Sequence, residues 1–187
     1  MQKIISLFKR NYDGDHLVRD EVVEGAEWVL RGEGVATRKY DGTCCRMKEG
    51  KLYKRYDLIG GKTPPLGFEP AQDPDPISGH WPGWILVGDG KEDKWFREGF
   101  ARSSSFYDEP LPNGTYELVG PKVNGNPENY EFHELIPHGE DVWFHVPRSF
   151  NELREFFGLH NIEGIVWHHP DGRMVKIKKK DFGLKRK

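Results

Sequence analysis

Arg38-Lys39-Tyr40-Asp41-Gly42-Thr43 is the stretch on which the reading of this chain turns. Val35–Arg38 before it and Cys44–Lys48 after it read as strands, and Leu52–Tyr56 follows across the hairpin turn Glu49-Gly50. Asp-Gly is an ordinary hairpin turn, so the six residues alone fit a surface hairpin. They also place an amine at the end of a strand. A free lysine is protonated at neutral pH, and neighbouring cations or burial must favour its neutral form before it can act as a nucleophile. Gly42, without a side chain, lets backbone approach a ligand closely.

The same alternation of short runs and turn signals continues along the chain. Lys62–Gly83 is a loop carrying six prolines, and Trp84–Val87 and Thr115–Val119 read as strands. Lys91–Ala101 is expected to be helical. Phe150–Phe157 is the clearest helix, with an apolar stripe of Phe150, Leu153, Phe156 and Phe157. Ser149 and Glu152 form a Ser-x-x-Glu capping box, and Gly158 sits at the C-terminal cap position. Ile162–His168 and Arg173–Lys178 form a last hairpin around His169-Pro170-Asp171-Gly172. The fold class is α+β with mostly antiparallel sheets. Regular βαβ spacing is absent, which argues against a doubly wound fold.

A length of 187 residues suggests one domain spanning 1–187. The formal net charge of −2 hides an asymmetry. From Arg173 to Lys187 there are eight basic residues against Asp181, so this segment carries +7 and the rest −9. No apolar run approaches the roughly 20 residues of a membrane span, and the start of the chain lacks a secretory signal. Cys44 and Cys45 are adjacent, which excludes a disulfide framework and suits a reducing cytoplasmic or nuclear compartment. They have no Cys-x-x-Cys partner for zinc. Gly60-Gly61-Lys62-Thr63 is not a P-loop, because Tyr56 stands where its first glycine belongs. His168 and His169 flank a turn and read as surface residues.

Three further segments supply chemistry in a consistent order. Arg55, on a strand, can reach a phosphate; alone it reads as a solvated strand charge. Glu117 sits mid-strand among apolar neighbours, where an inward carboxylate needs a hydrogen bond or cation, although outward alternation on a half-exposed sheet fits too. Lys176 and Lys178 are two apart in a strand and share a face. Both amines can converge on one triphosphate, and Glu163 on the partner strand could hold a divalent cation. A basic exposed strand leading into a basic tail also fits these residues.

Together these segments resemble motifs I, Ia, III, IV and V of the ATP-dependent ligase and capping-enzyme superfamily. Lys39-Tyr-Asp-Gly-Thr-Cys-Cys45, Gly114-Thr-Tyr-Glu-Leu-Val-Gly-Pro-Lys-Val-Asn-Gly-Asn-Pro127 and Ile162-Glu-Gly-Ile-Val-Trp-His-His-Pro-Asp-Gly-Arg-Met-Val-Lys-Ile-Lys178 are similar to the vertebrate-type 5′–3′ RNA ligase family. The resemblance covers roughly Trp28 to Gly183. It implies a nucleotidyltransferase core, with antiparallel sheets, flanking helices and the nucleotide in a groove between. It implies an RNA ligase that uses ATP and Mg²⁺ or Mn²⁺ and joins RNA 5′-phosphate and 3′-hydroxyl ends. Lys39 would be the adenylated lysine, with Lys176, Lys178 and Glu163 as its catalytic companions. Arg38, Asp41, Gly42, Arg55, Glu117, Lys176 and Lys178 would bind nucleotide, and Glu163 and Glu117 would serve the metal. An aromatic on adenine is implied, with Tyr130 and Phe132 as candidates and Phe132 counted among the nucleotide-binding residues.

Only nine residues follow Lys178, so no OB-fold domain is expected after it. This disfavours a DNA ligase or mRNA guanylyltransferase and leaves the Lys62–Gly83 loop or the basic tail (179–187) to grip RNA. A solvated, fraying terminus is the alternative for the tail. A monomer is expected. Two alternatives stay open: another lysyl-nucleotide transferase, of DNA end-joining or GTP-using capping type, and a non-catalytic RNA-end-binding protein on the same fold.

Overall fold

The turn at Glu49-Gly50 closes as the sequence implies, with φ of 52° and 73° at its two central residues. Asn113 Oδ1 accepts the Glu49 N–H at 2.8 Å. In this computed structural model, which describes residues 3–106 and 110–186, the chain divides into two compact units. One comprises residues 41–138 with residues 1–3. The other comprises residues 4–40 and 139–187. The observed class is α+β with antiparallel sheets and few helices.

The unit containing residues 41–138 is built on a six-stranded antiparallel sheet. Its strand order is Glu134–Pro137, Gly114–Val119, Thr43–Lys48, Lys51–Leu58, Trp81–Leu86 and Glu69–Pro70. Side chains alternate across it. Cys45, Met47, Leu52, Tyr116, Leu118 and Leu135 form a core against Trp95, Phe96 and Phe100 of the helix Lys94–Ser104. That helix starts three residues later than expected. Buried Asp93 accepts the Gly88 N–H at 2.7 Å and pairs with Lys54, which fixes Lys91–Asp93 as a 3-10 turn ahead of the helix.

The proline-rich segment 62–83 is less loop than expected. Glu69–Pro70 pairs with Gly83 and Trp84, and the strand begins at Trp81. Aromatic packing accounts for the difference. Phe68 lies edge-on to Trp81 and Tyr56, and Trp81 Nε1 donates to Gln72 O at 2.7 Å.

The second unit carries a four-stranded sheet in the order Ile5–Ser6, Met174–Lys178, Gly164–His168, Val35–Lys39. The first pair is parallel and the others antiparallel. A ribbon of Phe8–Arg10 and Val18–Val22 stands beside the helices Glu27–Leu30 and Phe150–Leu159. Trp28, Leu153, Phe157, Ile165, Trp167 and Ile177 lead its core.

Several local expectations change here. The Ser149 hydroxyl donates to the Glu152 carboxylate and caps no backbone N–H, so the capping box is not formed. The helix runs through Gly158 to Leu159, and His160 closes it, its Nδ1 donating to Phe156 O at 2.8 Å. The last strand pair starts at Gly164 and Met174 rather than at Ile162 and Arg173. His168 and His169 are half-buried rather than surface residues. Their Nε2 atoms contact Thr37 Oγ1 at 2.9 Å and Glu33 Oε2 at 3.0 Å.

The tail is also anchored at its start. Lys179–Phe182 is a 3-10 turn with Lys179, Asp181 and Phe182 buried, so a fraying terminus does not describe these residues. Lys187, the last of the eight cations, lies outside the described residues. Among the described residues no helix is long and apolar enough to cross a membrane.

Leu153 is 0% exposed. Leu153→Ala should cost about 2–5 kcal/mol, read by urea denaturation. A loss below about 1 kcal/mol would contradict its place in the core.

Candidate active site

In the unit of residues 4–40 and 139–187, strand register brings the reactive side chains together. Gly164 is paired with Lys178 on one side and with Lys39 on the other. Residues in register project to the same face, so the two lysines flank a position that has no side chain. Glu163, next in the chain, fills the gap. Its Oε2 accepts from Lys39 Nζ at 2.6 Å and its Oε1 from Lys178 Nζ at 2.8 Å. Gly164 is required by close packing, because a Cβ there would collide with the Ile177 carbonyl oxygen.

Electrostatics follow from this arrangement. Glu163 is 8% exposed. Burial alone would raise its pKa, but the charges and hydrogen bonds of Lys39 and Lys178 outweigh it, and the carboxyl lies below its ordinary range. Lys176 shares the strand face of Lys178. Burial, with the charges of Lys178 and Lys39 behind it, lowers its pKa to about 8. Glu163 and Asp181 oppose that fall.

Neighbouring groups hold the cluster in place. Asp181 pairs with Arg10 and accepts the Lys178 N–H at 2.9 Å, pinning the end of the strand. Tyr40 donates to Asp141 Oδ2 at 2.7 Å, and the Arg38 guanidinium stands 4.6 Å from the Tyr40 ring centroid.

The remaining sequence-derived candidates lie in the unit of residues 41–138. Cys45 and Lys54 are in register and Cys45 is buried, so Cys44, Glu117 and Arg55 stand on the opposite face, away from the apolar core. Glu117 is buried and bonded on that face, not a solvated strand charge. It is 8% exposed, its Oε1 accepts the Gly42 N–H at 3.1 Å, and its Oε2 contacts His138 Nε2 at 2.8 Å. A Cβ on Gly42 would collide with Leu118 O, so this glycine is fixed by packing, and no hairpin forms around it because the strands before and after it pair elsewhere. Asn124 Nδ2 donates to Asp41 Oδ1 at 3.1 Å and to Gly42 O at 2.9 Å. Glu128 accepts the Asp41 N–H at 2.8 Å.

Arg55 lies over Trp84 with its Nε 3.4 Å from Asp57. Phe132 is 43% exposed and has the Arg102 guanidinium 4.0 Å from its centroid. The Tyr130 backbone is tied to the Asn126 side chain: Nδ2 donates to Tyr130 O at 2.9 Å and Oδ1 accepts the Tyr130 N–H at 3.0 Å. Sequence reasoning missed Asp141, Asn124, Glu128 and His138. Asn124 left one signal: an asparagine beside Gly125, suited to the left-handed φ of 49° it adopts.

An α+β protein with three lysines gathered round one buried carboxylate is the class that fold and site define. A family model described as RNA ligase 1 matches residues 104–187, a span that includes Glu117, Glu163, Lys176 and Lys178. The chain is similar to RNA ligase 1 of Rattus norvegicus, 29% identical over 219 aligned positions that cover 80% of this chain and 67% of that protein. RNA ligase 1 of Mus musculus is 28% identical with the same coverage. RNA ligase 1 of Danio rerio is 37% identical over 84 residues, 40% of this chain and 26% of that protein.

The Lys176 amine should titrate at about 8 by heteronuclear NMR of the lysine side chains. Glu163→Gln removes an opposing anion and should lower it further. A midpoint at the ordinary lysine value of about 10.4 would contradict the described environment. Because the native amine binds its proton less tightly than the unfolded one, its charge weakens the fold below this midpoint. That cost is relieved as pH rises from the native value towards the ordinary one.

Proposed function

We propose that this chain is an ATP-dependent RNA ligase joining 5′-phosphate and 3′-hydroxyl RNA ends. The observation that carries this reading is the bridging of Lys39 and Lys178 by Glu163 with Lys176 alongside. Three amines against one carboxylate leave excess positive charge on a small patch, suited to a polyphosphate. Relatives named RNA ligase 1 support the coarser part of it, an RNA ligase.

In the first step, the neutral Lys39 Nζ attacks the α-phosphorus of ATP. A P–N bond forms, the bond to the bridging oxygen breaks, and pyrophosphate leaves. Glu163 Oε2, 2.6 Å from Nζ, would take the amine proton. Lys176 and Lys178 stabilise the charge that develops on the phosphates. AMP then passes to an RNA 5′-phosphate, freeing Lys39. Attack by a 3′-hydroxyl forms the 3′–5′ phosphodiester and releases AMP.

Glu117 and Arg55 are assigned a ribose hydroxyl and an RNA-end phosphate, with Arg38, Asp41 and Gly42 on the nucleotide and Phe132 or Tyr130 on the base. Glu163 offers one hard carboxylate, which fits Mg²⁺ or Mn²⁺, ions that take their other ligands from phosphate and water. When bound, such an ion would supply charge neutralisation at the phosphates.

Incubation with ATP and Mg²⁺ should add the mass of one AMP to the intact chain, and Lys39→Ala should abolish the addition. A label that persists in this variant sinks the assignment of Lys39. GTP, tried in parallel, should label poorly; preferential labelling by GTP would favour the capping type. Lys178→Ala should slow adenylation by about 10²-fold, and because it unpairs one oxygen of buried Glu163 it should also lower the thermal midpoint, so adenylation is compared well below that midpoint. Unchanged label formation would remove its role.

A further inference from the structure

One group of donors lies outside the lysine cluster. Cys44 and Glu117 are paired across adjacent strands, Thr43–Lys48 and Gly114–Val119. His138 follows the neighbouring strand, with its backbone N–H on Thr115 O at 3.0 Å. The Cys44 sulfur, a Glu117 carboxylate oxygen and a His138 ring nitrogen all lie within 4.8 Å of one another. We infer that Cys44, Glu117 and His138 form a binding site for a soft or borderline divalent ion of the Zn²⁺ class.

Four features carry this assignment. Thiolate, imidazole and carboxylate together select zinc-like ions over Mg²⁺. Three protein ligands and one open position match a tetrahedral ion, whose ligand atoms stand about 3.5 Å apart. The present spread reaches that geometry by small side-chain rotations. The His138 Nε2 to Glu117 contact at 2.8 Å would open, and Cys44 would close in.

The imidazole is also already oriented. His138 Nδ1 meets Thr115 Oγ1 at 3.0 Å, which leaves Nε2 to the ion when Nδ1 carries the proton. Finally, Glu117 keeps its Oε1 on the Gly42 N–H while Oε2 serves the ion, so binding need not break that bond. Sequence spacing argued against a Cys-x-x-Cys zinc site, but these three ligands come from three separate segments. The site goes beyond the ligase reading. If that reading holds, the ion would compete with the ribose for Glu117.

Co²⁺ titrated into the whole chain should give a thiolate-to-cobalt charge-transfer band in the near ultraviolet and visible bands of a four-coordinate ion, saturating at one equivalent. Cys44→Ser should remove the charge-transfer band. Thr115→Val should weaken binding by about tenfold or more through the loosened imidazole. No such band, or one that survives Cys44→Ser, overturns the assignment. In the wild-type chain, Zn²⁺ but not Mg²⁺ should shield Cys44 from alkylation, read by peptide mass spectrometry. Equal alkylation with and without Zn²⁺ overturns it independently of how any variant folds. Neither readout contains nucleotide, so its failure leaves the ligase proposal standing, and absent AMP labelling leaves the metal assignment standing.

Discussion

The carboxylate of Glu163, held between two lysine amines, is the constraint on which the unit of residues 4–40 and 139–187 depends. A buried carboxylate is costly unless it is paired, and like-charged amines on the strands either side of Gly164 repel unless an anion separates them. Glu163 meets both needs at 2.6 and 2.8 Å. The geometry that allows this is severe. Three strands must be adjacent and in register, and the middle position must be glycine. Arg10, Asp181 and the 3-10 turn that follows Lys178 then serve to hold that register.

The other unit uses its sheet differently. One face is apolar and packs a helix, and the opposite face gathers Cys44, Glu117, Arg55 and Trp84. Strand alternation separates the two adjacent cysteines. Cys45 is wholly buried, and burial pushes its thiol well above the ordinary range, so it behaves as an apolar side chain. Cys44 faces the polar groups. Two residues of one type, side by side in sequence, therefore have different chemistry for a purely geometric reason.

Much of this is legible in the amino-acid sequence. The Lys-x-Lys spacing places both amines on one face, and the buried alternation of Met174–Lys178 agrees. An acid among apolar neighbours marks Glu117 as either buried or solvated, and its hydrogen bonds hold it buried on the face opposite the apolar core. What is not legible comes from contacts distant in sequence. His138 meets Glu117 from the next strand, and Asp141 meets Tyr40 across 101 residues. The proline-rich segment joins the sheet because aromatic rings hold it there, a tertiary effect that local turn chemistry does not encode. Ser149 loses its expected capping role because a neighbouring carboxylate competes for its hydroxyl.

The division of the chain also bears on how the protein is made. Residues 41–138 form one continuous stretch, so on a ribosome their sheet can close before the rest of the chain appears. The strand Val35–Lys39 has no such opportunity. Its partner, Gly164–His168, is synthesised more than a hundred residues later. Until then Val35–Lys39 is a strand without its mate, exposed to pairing with other chains. The nucleophile proposed at Lys39 is thus made well before the strands that give it its surroundings. Truncated or stalled chains would carry Lys39 without the carboxylate and amines that give it a chemical purpose.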